Sequence, residues 1–185
     1  TTRDPQAGEI DLFTHSDLVA TGEMVGPRIF TSGPGIFNDW PVYDIDDARK
    51  VARKYRDYYK VGTVKQYLAG DRRQRQLLSM ALYEAELIPT TEGVDMKTMI
   101  TQVFDGYSLE HVFPHFPLYK DMVQLLAQSG TYYDPTVIVS VGPRSEYYYW
   151  TRTAVHDDAR VRRFMPHSLL DAQTQRVPWF HDMEF

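Results

Sequence analysis

Hydrophobic positions along this chain switch repeatedly between two periods, and the switching is cleanest over residues 63–93. Val64-Lys65-Gln66-Tyr67-Leu68 is a short run with β propensity. Asp71 then stands where a helix N-cap belongs, ahead of Leu77, Leu78, Ala81, Leu82 and Ala85 at the spacing of one helix face. Ile88 and Pro89 open a second strand that closes on Thr90-Thr91-Glu92-Gly93. Two strands joined by one crossover helix are parallel, so their carboxyl ends share an edge. That edge is where α/β folds hold their ligands.

The same alternation continues on both sides. Residues 1–4 read as the end of a strand stopped by Pro5, and residues 12–22 as a helix with Leu12, Leu18 and Val19 apolar. His15 on that helix reads as an ordinary surface or core residue. Residues 28–31 make a strand, and Ser32-Gly33-Pro34-Gly35 a plain turn without a phosphate-binding signature. After a loop, residues 44–59 predict a helix with Ala48, Val51, Ala52, Tyr55 and Tyr59 on one face. Residues 95–105 predict another, whose Met96, Met99, Ile100 and Val103 belong to the core. A strand over 107–113, a helix over 117–128 with Pro at its start and Gly130 past its end, and a strand over 136–139 complete the series. From Gly142 the texture changes: Tyr147, Tyr148, Tyr149 and Trp150 form an aromatic run, and residues 151–185 are polar without a clean period. The expected organisation is an α/β body over residues 1–141 and an irregular excursion over 142–185 that packs on the body or on a partner. Strand–helix alternation implies a parallel sheet, open or closed into a barrel, and the pattern leaves both possible.

Composition narrows the function classes. The chain has 185 residues and a hydrophobic fraction of 43%, enough for a real core. A net charge of -5 gives no sign of a nucleic-acid partner. Basic residues at 49–56 and 72–75 are interleaved with acidic ones and read as solvated helix faces. Without cysteine there is no disulfide framework, thiolate metal site or thiol nucleophile. No run reaches the ~18 apolar residues of a membrane helix, and no signal peptide is present. The opening on Thr1 without an initiator Met reads as the inside of a longer protein.

Three side chains fall on successive strands: Lys65, Glu92 and His111. In a parallel sheet they converge on one edge. Imidazole and carboxylate suit zinc and similar borderline metals. Desolvation favours the neutral amine of a buried lysine, which then acts as a base, forms a Schiff base, or takes up carbon dioxide as a carbamate. The ordinary alternatives are a solvated edge lysine and a glutamate that caps the next helix.

Thr1-Thr2-Arg3-Asp4-Pro5, Gly26-Pro27-Arg28-Ile29-Phe30, Val64-Lys65-Gln66-Tyr67, Leu109-Glu110-His111 and Asp134-Pro135-Thr136 resemble, in order, strand motifs of the metal-dependent amidohydrolase superfamily. The likeness is to its imidazolonepropionase- and prolidase-like branch, in the large exported proteins that carry a TolB-type β-propeller. It covers nearly the whole chain. The resemblance implies a partial (β/α)8 TIM barrel of about strands two to seven, one or two divalent metals with zinc foremost, and a small amide or peptide-like substrate. Lys65 matches the carboxylated lysine that bridges two metals, and His111 a metal ligand. Glu92 stands where a histidine ligand is usual; as a ligand it would also orient the attacking water. Tyr67, two residues beyond Lys65 on the same strand face, is the candidate substrate contact.

The resemblance also exposes departures. The His-x-His of the family's first strand and the metal-binding Asp of its eighth have no counterparts; Asp157, Asp158, Asp171 and Asp182 lie in the polar tail. The chain therefore resembles the central part of a catalytic barrel, expected to be inactive alone and to associate through open sheet edges as a homo-oligomer or by strand exchange. Two competing readings stand beside it: a non-catalytic module binding a partner through residues 147–150, and a lyase using Lys65 as a Schiff base.

Overall fold

Helix starts in this chain are set by aspartates. Asp44, Asp71 and Asp95 each accept a hydrogen bond from the backbone N–H three residues on, at Asp47, Gln74 and Thr98, over 2.8–2.9 Å. Each N-cap contributes about 1 kcal/mol to its helix. Gln74 answers Asp71 by accepting from the Asp71 N–H, which completes a capping box. In this computed structural model residues 1–93, 95–111, 113, 118–136 and 155–174 are described, and the chain divides into two compact units, Thr1–Pro135 and Thr136–Phe185.

The first unit runs β1 (Thr2–Asp4), α1 (Asp11–Thr21), β2 (Ile29–Thr31), α2 (Ile45–Arg53), β3 (Thr63–Gln66), α3 (Arg72–Glu84), β4 (Ile88–Thr91), α4 (Met96–Phe104), β5 (Ser108–Leu109) and α5 (Lys120–Ser129). A π-helical turn, Lys54–Tyr59, extends α2 and ends at Lys60 with φ +55°. This is the expected α/β class, with parallel pairing throughout. β1 pairs with β2, and β3-β4-β5 form a second sheet with Lys65 opposite Thr90 and Thr91 opposite Leu109. Single parallel bridges extend the series, Ile36 to Gln66 and Leu109 to Tyr133. The Ile36 N–H donates to Lys65 O and the Tyr67 N–H to Ile36 O, at 2.9 and 2.8 Å. Among the described residues, each backbone-paired neighbour is thus the next in sequence.

One face of this series is apolar and covered by helices. Val64 on β3 shares a core with Ala48, Val51, Ala52 and Tyr55 from α2 and its extension, and with Leu78, Ala81 and Leu82 from α3. A second cluster joins Met99 and Val103 of α4 to Leu109 and Phe113. Each large apolar side chain so buried stabilises the fold by about 1.5–3 kcal/mol. The opposite face is polar and concave. Arg3 on β1 reaches Glu110, just past β5, which a flat sheet with these strands at its two ends would not permit.

Several boundaries differ from the pattern's expectation. β5 ends at Leu109, not 113, because its partner β4 ends at Thr91; the last ladder bond runs from Glu110 N–H to Thr91 O at 3.0 Å, and the chain bends at His111. α5 begins at Lys120 instead of 117. The parallel bridge to β5 forms at Tyr133, ahead of the expected strand over 136–139, of which only Thr136 lies within the described residues. In the second unit, the expectation of an irregular tail is corrected over 155–174. A 3-10 turn, Val155–Asp157, precedes α6 (Ala159–Phe164) and α7 (His167–Gln173). Asp158 caps α6 by accepting from Arg160 and Val161 N–H. Helices of two turns are too short to display a period.

Candidate active site

β3 alternates cleanly: Val64 and Gln66 face the helices while Thr63 and Lys65 face the concave side. Gln66 locks the strand end, its amide donating to Thr91 Oγ1 at 2.5 Å and accepting from Ala69 N–H at 2.9 Å. The chain leaves β3 through Leu68 at φ +50°, a left-handed conformation that costs a non-glycine residue about 1–2 kcal/mol. The turn keeps Lys65 and Tyr67 at the carboxyl edge.

Lys65, Glu92 and His111 do meet there. Lys65 Nζ lies 3.2 Å from Glu92 Oε2, and the lysine side chain is only 4% exposed. The same carboxylate oxygen accepts from His111 Nε2 at 2.8 Å. With an ionised carboxylate opposite it, this ring nitrogen is the donor of the pair. Nδ1 is buried and has no hydrogen-bond partner among the described residues. Glu92 is the first residue past β4, and its backbone is fixed by Gln102 of α4, whose side-chain amide donates to Glu92 O at 3.0 Å. Tyr67 lies against Lys65, with the amine 4.4 Å from the ring centroid. Glu92 does not cap α4; Asp95 does.

A second charged group sits beside the first. Arg3 grips Glu110 bidentately, at 2.6 and 3.0 Å, and reaches Asp134 at 3.5 Å. Burial alone would raise the Glu110 carboxyl. The hydrogen bonds from Arg3, the nearby Thr90 hydroxyl and the charges of Arg3 and Lys65 together outweigh it and hold the group below the usual carboxylate range. The same partnership raises the Arg3 guanidinium. Arg3, Glu110 and Asp134 line a cavity of about 330 Å³ with Thr63, Thr90 and Ser108, which does not include Lys65, Tyr67, Glu92 or His111. A larger hollow of about 940 Å³ opens at the amino ends of β1 to β3, beside Phe13 and Tyr59, and holds none of the candidate site residues.

Sequence reasoning did not single out Arg3, Glu110 or Asp134, although all three lie in the quoted strand motifs. Charge reversal at matched strand ends was the available signal; the partnership spans 107 residues of chain and is invisible to local pattern. His15 is exposed on α1, in line with its ordinary reading. Asp158 is an N-cap, and Asp171 lies on α7. The aromatic run 147–150 and Asp182 lie outside the described residues.

The donor set fits a divalent metal in kind. Glu92 and His111 offer an oxygen and a nitrogen, the donor types divalent metals take; they are now joined by a 2.8 Å hydrogen bond, whose hydrogen an ion would displace. Among the described residues no group of three His, Asp or Glu side chains is placed to hold a metal. Two donors are therefore at hand, and Lys65 supplies a third only as a carbamate.

No family model and no curated protein matches the chain. Solved structures do. A Xaa-Pro dipeptidase with methionine bound in its active site aligns over 93% of this chain and 47% of its own length, at 16% identity and a TM-score of 0.57. A prolidase complexed with N-methylphosphonate-L-proline aligns over 94% and 48%, at 14% identity and 0.58. An amidohydrolase aligns over 79% and 45%, at 14% identity and 0.59. The chain spans about half the length of these structures. What it shares with these prolidases and this amidohydrolase is a fold, an α/β arrangement of parallel strands and helices.

Proposed function

We propose that this chain is the central part, about strands two to seven, of a (β/α)8 barrel in a metal-dependent hydrolase that cleaves a carbon–nitrogen bond in an amide or peptide-like substrate. Residues 1–141 would form the barrel segment and 142–185 the excursion. The observation that carries the reading is the single oxygen, Glu92 Oε2, held between Lys65 and His111 at the carboxyl edge of parallel strands. Parallel strands met in chain order, curling until the first touches the fifth, support the barrel geometry.

Glu92 and His111 would hold the ion, with Lys65 as carbamate the further donor. A divalent ion bound there would supply Lewis acidity, to polarise the amide carbonyl and acidify the attacking water. Glu92 would take the proton that this water loses as its oxygen bonds to the carbonyl carbon. The carbon–nitrogen bond then breaks as the proton passes to the departing nitrogen, leaving an acid and an amine. His111, tied to Glu92, fixes the direction of the carboxylate. The Arg3–Glu110 pair holds the strands that carry these groups in register.

With two donors at hand, the chain alone is expected to bind the ion without turnover. Isothermal titration with zinc tests the reading: binding that weakens at least tenfold in Glu92→Gln and in His111→Asn supports it, and binding indifferent to both contradicts it.

A further inference from the structure

We propose that the large hollow at the amino ends of β1 to β3 is an interaction site, and that its occupant is helix α6 of a second copy of this chain, with Phe164 as the anchor. The hollow lies apart from the candidate active site and includes none of its residues.

The walls of the hollow are aromatic and its α1 side is acidic. Phe13 of α1 and Tyr59 stack on each other, with centroids 5.7 Å apart and planes inclined by 9°. Phe30 and Tyr58 also line the hollow and remain exposed, as does Ile10 at the start of α1. A volume of about 940 Å³ lies at the upper end of what a small-molecule pocket offers and is room enough for one turn of helix with its side chains. Ile10, Thr14 and Asp17 line it at the spacing of one helix face, so this side presents an acid beside apolar groups. Residues 8–26 contain Glu9, Asp11, Asp17 and Glu23 but no Lys or Arg, and none of the four acids has an ion pair among the described residues. Of the lining cations, Arg3 is held by Glu110, which leaves Lys60.

Helix α6 carries the complement. Phe164, its last residue, is 78% exposed. Arg160 lies one turn before it, and the Arg163 guanidinium stands 5.5 Å from its ring centroid. Arg160, Arg162 and Arg163 have no ion pair among the described residues. An aromatic ring flanked by arginines is the composition of an interface hot spot. Left in solvent, the ring and the charges contribute nothing; seated in an aromatic hollow with an acidic side, the ring is buried and the charges are paired. Each copy carries both surfaces, so two such contacts close a two-fold pair.

Sedimentation equilibrium of the full chain and its charge-exchanged variants tests this. Wild type should show a mass above 21.5 kDa that falls toward that value as salt rises to about 0.5 M. Phe164→Ala should weaken association at least about tenfold. Asp17→Lys, and separately Arg160→Glu with Arg163→Glu, should each do the same by setting like charges together. Mixing these last two variants should restore association to within about threefold of wild type, because every contact in the mixed pair again joins opposite charges. Restoration also shows that both variants fold. A wild type that stays monomeric overturns the proposal, as does an association that all three variants leave unchanged, which would place it at the open strand edges. Loss in the variants without recovery in the mixture overturns the pairing of α6 with this hollow.

Discussion

Truncating Arg3 removes an ion pair that ties the first strand to the end of the fifth, and its cost is open to a direct estimate. The guanidinium makes two charge-assisted bonds to Glu110, whose side chain is 4% exposed. Removing one partner of a buried pair costs about 3–5 kcal/mol, because the other charge is left without compensation. Arg3 is part-exposed and the Lys65 charge remains near Glu110, so Arg3→Ala should cost about 2–3 kcal/mol. Glu110→Gln should cost less, about 1–2 kcal/mol, since the freed Arg3 keeps solvent and Asp134. The double variant should fall short of the sum by about 1–2 kcal/mol. Urea unfolding of the three variants and wild type, read as midpoints at a common slope, gives the cycle. A coupling below about 0.3 kcal/mol would mean that the two groups do not meet and that the concave face is not closed by this pair.

Three further outcomes follow from single contacts. Asp105 binds Arg72 and Gln76 at 2.8–2.9 Å with its side chain 3% exposed, and these partners outweigh burial to hold its carboxyl low, so Asp105→Asn should cost about 1–2 kcal/mol at neutral pH. A depressed carboxyl contributes stability above its unfolded value of 3.8 and loses it as pH falls through the lower folded value, so the gap between wild type and Asp105→Asn in urea midpoint should shrink as pH falls below 3.8 and through the lower folded value, and a constant gap would contradict the assignment. Gly35→Ala drives a methyl into the Tyr67 ring and Gln6 and should cost about 1–3 kcal/mol; an unchanged melting temperature would show that the Tyr67 sandwich is loose. The edge of β1 away from β2, unpaired among the described residues, should promote association, seen as a mass above 21.5 kDa in light scattering, and a monodisperse monomer would refute this.

Much of this arrangement was legible in local pattern, for reasons tied to particular residues. Asp71 and Gln74 announce a helix, and the 77–85 stripe announces which face it buries, because capping and burial act over one or two turns. Lys65 stood out because a strand core rarely takes a charge, and the structure pairs it with Glu92, which in turn meets His111 from the next strand end. The strand limits were less legible. β5 stops at Leu109 because β4 offers nothing further to pair with, a fact held by another segment. The partnership of Arg3 with Glu110, and the sandwich of Phe37, Tyr67 and Lys65, arise from curvature and crossover, which no spacing along the chain encodes. The short helices α6 and α7 escaped because neither is long enough to repeat its pattern.

The account rests most heavily on one point in space shared by Glu92 and His111. Imidazole ¹⁵N spectra of the zinc-titrated chain, compared with its Glu92→Gln variant, address it directly. The chain has six histidines. The account predicts that the His111 ring nitrogens shift first and saturably, and that the shift is lost or displaced to much higher zinc in Glu92→Gln. If His111 stays still while other histidines move, or responds identically without the Glu92 carboxylate, the shared metal site is contradicted.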